Sequence, residues 1–254
     1  MPDTTWVDTH GHLFLLEDPV ADVLGRAAAA GVEWLVCPGI DAESSARSES
    51  ISTEFPSRVR WSAGLHPHDA SAWPDQAQAI ADLAGRSDAI GECGLDYYRE
   101  LSPREDQQRA FAAQLSLAGD LDKPVIIHCR DAFKDVHAML ENAALGERAV
   151  LHCWTGGPKW TKRFSQLGVT FSFAGPVTYS TADTLRLGVA EAPPDRTMVE
   201  TDSPYLTPEP LRGADNEPAN VALTGAQLAE IWGLDVSEVA SLTSNTARRI
   251  FSHD

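Results

Sequence analysis

The run Val125-Ile126-Ile127-His128-Cys129 places three β-branched apolar residues in front of an imidazole. Valine and isoleucine suit a strand, and a run with no polar alternation suits a parallel strand covered on both faces. The construction recurs. Val150-Leu151-His152 repeats it, and Trp34-Leu35-Val36 repeats its apolar part. A titratable side chain that closes a buried strand is costly unless something compensates it, so these histidines need an explanation beyond packing.

Working outward, eight strand-like runs are predicted at residues 4–8, 32–38, 59–65, 89–92, 124–129, 149–153, 169–173 and 197–202. Helical segments are predicted between them at 19–30, 42–55, 75–85, 103–121, 132–145, 159–167 and 181–191, with two more at 221–232 and 236–250. This alternation is that of a parallel sheet, and eight such units close more naturally into a (β/α)8 TIM barrel of the α/β class than into an open sheet. A doubly wound sheet would be expected to show a Gly-rich first turn, which Asp8-Thr9-His10-Gly11-His12 is not. The Pro-rich stretch 193–218 reads as a long loop over the barrel mouth. At 254 residues without a Gly/Ser-rich linker, one domain over 1–254 is the expectation.

Polar residues then fall in register. His10 and His12 end the first strand, His66 the third, Glu92 the fourth, His128 the fifth, His152 the sixth and Asp202 the eighth. Strand C-termini of such a barrel converge on one face, where active sites are built. His10 and His12, two apart, would share a side of the strand and chelate one ion. Alone the pair is a weak signal, since packed imidazoles near a turn explain it equally well. Together with Glu92, His128, His152 and Asp202 it predicts a metal site at the C-terminal ends of the strands. Four imidazoles and two carboxylates favour zinc, manganese, cobalt, nickel or iron over magnesium. Cys93, Cys129 and Cys153 each follow a proposed ligand and are expected to point away, into the layer between sheet and helices, with a thiolate ligand as the alternative. Asp8 and Glu200 are expected one layer beneath, holding an imidazole or pairing with a basic side chain.

Composition narrows the partners. A formal net charge of −17 opposes the grip on phosphates that extensive duplex binding needs. It does not oppose a substrate held at one phosphate by cations. No run approaches the length of a membrane span, Met1 to Thr5 lacks signal-peptide character, and the four cysteines form no C-x-x-C pair. A cytoplasmic protein without a membrane partner is expected, with a monomer as the default.

Several motifs lie in order along nearly the whole chain: Val7-Asp8-Thr9-His10-Gly11-His12-Leu13, Gly64-Leu65-His66-Pro67-His68, Gly91-Glu92-Cys93-Gly94-Leu95-Asp96-Tyr97-Tyr98, His128-Cys129-Arg130-Asp131-Ala132, Leu151-His152-Cys153-Trp154-Thr155-Gly156, Glu200-Thr201-Asp202-Ser203-Pro204 and Asn216-Glu217-Pro218. In these the chain resembles the TatD-type metal-dependent deoxyribonucleases, within the wider amidohydrolase-like barrels. The resemblance implies two divalent ions, one on His10, His12 and Asp202 and the other on His128 and His152, with Glu92 between them. It places His66 beside the site, to contact a phosphate or a third ion, and implies cleavage of phosphodiester bonds in DNA, in some members from the 3′ end of a single strand. The chain departs from the family at Phe14, where an Asp is common, and at Ala214 and Asp215, where a basic pair is common. Both weaken the expectation of a long DNA track.

On this reading Asp202 and Glu92 are the catalytic carboxylates, and Asp202 orients or deprotonates the attacking water. Arg130 steadies the phosphate or else pairs with Asp131, and Trp154 or Tyr97 stacks a terminal base or else packs at the rim. Hydrolysis of a small amide, lactone or phosphoester is the alternative, and a metal-binding scaffold without turnover is a third.

Overall fold

The structure, a computed structural model, describes residues 4–251. Met1 to Asp3, part of the stretch read above for a targeting segment, lie outside them, as do Ser252 to Asp254. Eight parallel strands pair in chain order: β1 (Trp6–Asp8), β2 (Val32–Pro38), β3 (Val59–Ala63), β4 (Ala89–Asp96), β5 (Val125–Arg130), β6 (Ala149–Leu151), β7 (Thr170–Phe173) and β8 (Thr197–Val199). The sheet closes just beyond the ends of β8 and β1. There Thr9 N donates to the Val199 carbonyl at 3.1 Å, Asp202 N to that of His10 at 2.8 Å, and His12 N to that of Ser203 at 2.8 Å. The fold is a (β/α)8 barrel.

Helices follow the strands: α1 (Val20–Ala29), α2 (Ala42–Glu54), α3 (Trp73–Ala84), α4 (Arg104–Asp120), α5 (Phe133–Ala143), α6 (Pro158–Gln166), α7 (Asp183–Glu191), α8 (Val221–Trp232) and α9 (Val236–Phe251). Local chemistry sets their ends. Asp41 caps α2 by accepting from Ser44 N at 2.7 Å while Ser44 Oγ accepts from Asp41 N at 3.0 Å, a reciprocal capping box. Proline at the first turn of α6 costs no hydrogen bond, and Gly233 closes α8 at φ 66°.

Strand alternation sorts the core into two layers. Val7, Val36, Ala89, Ile126, Val150 and Met198 form a cluster with Ala247, Ile250 and Phe251 of α9. Cys93, Leu95, Val125, Ile127 and Leu151 belong to the larger layer facing the helices. Ile126 and Val150 therefore mark the inner face of β5 and β6, and His128 and His152, two residues on, continue it toward the mouth. Glu92 reaches that face through a register shift between Ile90 and Cys93 on β4. Gly91 and Gly94 allow the close approach of β5. A Cβ on Gly94, at φ 138°, would stand 2.0 Å from the His128 carbonyl oxygen.

Several expected boundaries shift. β1, β6 and β8 each span three residues, so His10, His12, His152 and Asp202 stand in the loops after their strands. β4 runs to Asp96, four residues past Glu92, and His66 lies beyond β3 at the start of a 3₁₀ turn. The stretch 193–218 contains β8, and from Glu200 to Glu217 it runs without helix or strand. No helix among the described residues is long and apolar enough to cross a membrane.

Candidate metal centre

Glu92 sits at the centre, 3% exposed, and its two oxygens face different imidazoles. Oε2 lies 3.3 Å from His10 Nε2 and 3.7 Å from His12 Nε2. Oε1 lies 2.9 Å from His152 Nε2, 3.1 Å from His128 Nδ1 and 3.4 Å from His66 Nε2. Asp202 Oδ1 completes the first side, 3.7 Å from His10 Nε2 and 3.6 Å from His12 Nε2. All six expected ligands meet, with His66 inside the cluster and not merely beside it. Three groups with metal-ligand spacing stand out among the described residues: His10, His12 and Asp202; His10, His152 and Glu200; and His66, Glu92 and His128. His10 and His12 converge by loop geometry rather than strand alternation, since β1 ends at Asp8.

The donor set fits cations. His10 Nε2 and His12 Nε2 face each other at 3.2 Å. Metal–nitrogen bonds of about 2.0–2.1 Å in a tetrahedral set put neighbouring donors roughly 3.4 Å apart, close to the separations around Glu92 Oε2. Among the described residues His10 Nδ1 and Glu200 Oε2 are buried without a hydrogen-bond partner, beneath the pocket in the group that His10 and Glu200 form with His152.

The buried acid and the rings around it shift one another's protonation, with His10 and His66 lowered and His12, His128 and His152 raised. Burial pushes the Glu92 carboxyl up, but His152 and His66, with hydrogen bonds from His10 and His128, outweigh it and hold Glu92 well below the usual carboxylate range. Burial pushes His66 down to about 4 against the pull of Glu92, which leaves a neutral ring whose Nδ1 accepts from His68 N at 3.1 Å. His10 is lowered by burial and by its neighbour His152. Burial opposes charge on His152 too, yet Glu92 and Glu200 raise it well above the ordinary value.

Surrounding carboxylates orient the rings. Glu200 Oε1 lies 3.2 Å from His152 Nδ1 and accepts from Cys153 N at 2.8 Å, the imidazole-holding role expected of it. Asp8 instead accepts from Thr201 N at 2.9 Å and Thr201 Oγ1 at 2.6 Å, locking the seam between β1 and β8. Burial pushes its carboxyl up to about 8 despite those bonds. Asp96, given no role in the reading above, is wholly buried and lies 3.1 Å from His128 Nε2 and 2.9 Å from His68 Nε2. Its burial is outweighed by hydrogen bonds from His128, Arg99 N and His68, which depress its pKa.

The pocket above this floor has a volume of about 650 Å³. His66, Arg99, Arg130, Tyr205 and Leu206 are on its walls. One expectation fails at Cys153, which lines the pocket because β6 ends at Leu151 and Cys153 takes a left-handed turn at φ 41°. Cys129 packs in the helix-facing layer as expected while bordering the pocket, and neither joins a group with metal-ligand spacing. Trp154 cannot stack a base. It is 1% exposed, packed on Phe133, Phe164 and Phe171, with Nε1 donating to Thr161 Oγ1 at 2.8 Å. Tyr97 is half-buried and gives its hydroxyl to Asp135 at 2.8 Å. The exposed aromatics are Tyr98 and Tyr205. Arg130 lies over Tyr98, 4.1 Å from the ring centroid, and no carboxylate pairs with it among the described residues.

Comparison with known proteins agrees with this geometry. The family described as TatD related DNase matches residues 7–252. The chain belongs to that family. Its relatives include the metal-dependent hydrolase YabD of Bacillus subtilis, 36% identical, with 96% of this chain and 98% of that relative covered. They also include the 3′-5′ ssDNA/RNA exonuclease TatD of Pectobacterium parmentieri, 38% identical, covering 90% of this chain and 92% of the relative. The crystal structure of YjjV, a TatD homologue from Escherichia coli, superposes with a TM-score of 0.87 at 28% identity, covering 98% of both chains. As a TatD-family protein the chain is a metal-dependent hydrolase, and its His, Asp and Glu groups could bind metal.

Proposed function

We propose that this TatD-family hydrolase cleaves phosphodiester bonds at the end of a single nucleic acid strand, using two divalent ions on either side of Glu92. One observation carries the reading: the two oxygens of a single buried carboxylate are divided between separate imidazole sets at the floor of a cavity of nucleotide size. His10, His12, Asp202 and Glu92 would hold one ion, and Glu92, His128 and His152 the other. His66 would contact the phosphate or a third ion. Cations bound there supply Lewis acidity and lower the pKa of water.

The chain's own groups do the rest. Asp202, at the cavity wall, takes the proton of the water that attacks phosphorus. Arg130 lines the same cavity with a free guanidinium able to donate to non-bridging oxygens. Glu200 and Asp96 hold His152 and His128 in the orientation that turns their remaining nitrogens toward Glu92. The relatives named as exonucleases support the substrate class.

The test is purified protein with Glu92→Ala or His128→Ala, assayed on end-labelled oligonucleotides with and without chelator. Both substitutions should abolish turnover while circular dichroism stays native, and retained activity in both would refute the reading. The net charge of −17 favours a second reading, hydrolysis of a small amide, lactone or phosphoester. Turnover of such compounds with none on oligonucleotides would establish it instead.

A further inference from the structure

The chain has 20 basic residues against 37 acidic ones, so most of its cations are expected to be neutralised. Fifteen of the 20 have a carboxylate or a backbone carbonyl as partner, as with Arg26 on Asp18 and Glu217, Arg86 on Glu49, and Lys123 on three carbonyls. Five have neither among the described residues: Arg99, Arg130, Lys134, Lys159 and Arg163. All five are exposed, and they lie on or after β4, β5 and β6, which are neighbours in the barrel.

Arg99 and Arg130 line the pocket, and Arg130 is the last residue of β5. Lys134 is the second residue of α5, three positions past a short turn. Lys159 is the second residue of α6 and follows the loop whose Thr155 lines the pocket. Arg163 lies one turn further along α6. Packing joins these elements: the Phe133 and Trp160 rings are 5.8 Å apart, and Arg163 covers Trp160 at 4.8 Å. The acids nearby are mostly engaged, Asp135 by Tyr97 and Gln108, and Glu191 by Lys162. Asp131 is the exposed exception.

We infer that these side chains form a track for the phosphate backbone of a single strand, leading from the pocket past Tyr98 and Arg130 and over the first turns of α5 and α6. The inference rests on the nuclease reading for the identity of the strand. Unpaired cations are concentrated beside the cavity in a protein whose remaining surface repels polyanions, and charge complementarity selects a phosphate chain that continues out of the pocket. The missing basic pair at Ala214 and Asp215 lies on the loop after β8, so this track runs on a different part of the mouth, beside β4 to β6.

The experiment measures fluorescence anisotropy of labelled phosphorothioate dT2 and dT16 with the manganese-loaded native protein over a range of salt. Five phosphate contacts predict a log–log salt slope of about −3.5 for dT16. The variant K134S/K159S/R163S should bring the slope to about −1.4 and weaken dT16 binding roughly 100-fold at 0.1 M salt. The preference for dT16 over dT2 should shrink with it, and K134R/K159R/R163K should restore both. The track is wrong if the serine variant keeps the native slope and length preference, or if the native protein shows no salt-dependent binding. Cleavage of unmodified dT2 and dT16 is scored separately. A protein that binds dT16 along the track yet cleaves neither strand would overturn the nuclease reading alone.

Discussion

Glu92 shows at the scale of one residue how this pocket could hold metal. A buried carboxylate among five imidazoles, His10, His12, His66, His128 and His152, stays ionised because the rings around it supply positive potential. Its neighbours need orientation, and Asp96 provides it by facing both His128 and His68. Asp96→Asn keeps the shape but removes the charge. Apparent metal affinity in an activity titration should fall about 10–100-fold, the usual cost of losing such a partner; Glu200→Gln, acting on His152, should fall in the same range. An unchanged titration in both would show that the rings are held by packing alone. The clustering of His10, His12, Glu92, His128, His152 and Asp202 was legible in the sequence, since each stands at or just past the C-terminal end of a strand-like run. Asp96 was not, because its role depends on β4 continuing four residues past Glu92, and the register shift that permits this leaves no mark in periodicity.

At the scale of elements, all eight strands and nine helices lie where hydrophobic pattern placed them, while strand ends differ. The reason is functional geometry. β1, β6 and β8 stop after three residues so that the chain can bend and deliver His10, His12, His152 and Asp202, and alternation has no authority beyond the last paired residue. Cys153 was misplaced for that reason, extrapolated from a strand that had already ended. Trp154 left two alternatives open, stacking and packing, and tertiary contacts decide for packing, because Phe133, Phe164 and Phe171 enclose it. Trp154→Ala should therefore destabilise the fold by about 3–5 kcal/mol in urea denaturation, as removal of a large core aromatic does. Tyr205→Ala, at an exposed rim position, should change stability by less than about 0.5 kcal/mol while raising KM for oligonucleotides. Equal destabilisation by the two would contradict this division between core and rim.

The whole molecule combines a strongly acidic surface with a floor of clustered ligands, and the two features cooperate on cations. A charge of −17 raises the local concentration of divalent ions, and near the cluster His10 Nδ1 and Glu200 Oε2 are withheld from water without a partner. Since the six ligands come from five different strands and their following loops, the unfolded chain offers no comparable site, and binding must appear as folding stability. At an ion concentration 100 times Kd the gain is about 2.7 kcal/mol per site. For a chain of this size that corresponds to a rise in Tm of about 5–10 °C. Native protein stripped with chelator and then titrated with manganese or zinc should show this shift by differential scanning fluorimetry, and Glu92→Ala should lose most of it, because Glu92 contributes to both proposed positions. Magnesium, bound by fewer oxygens here than it prefers, should give a smaller shift at equal concentration. A flat Tm across the titration would mean that the donors around Glu92 satisfy one another, and the site would then be a hydrogen-bonded core despite its spacing.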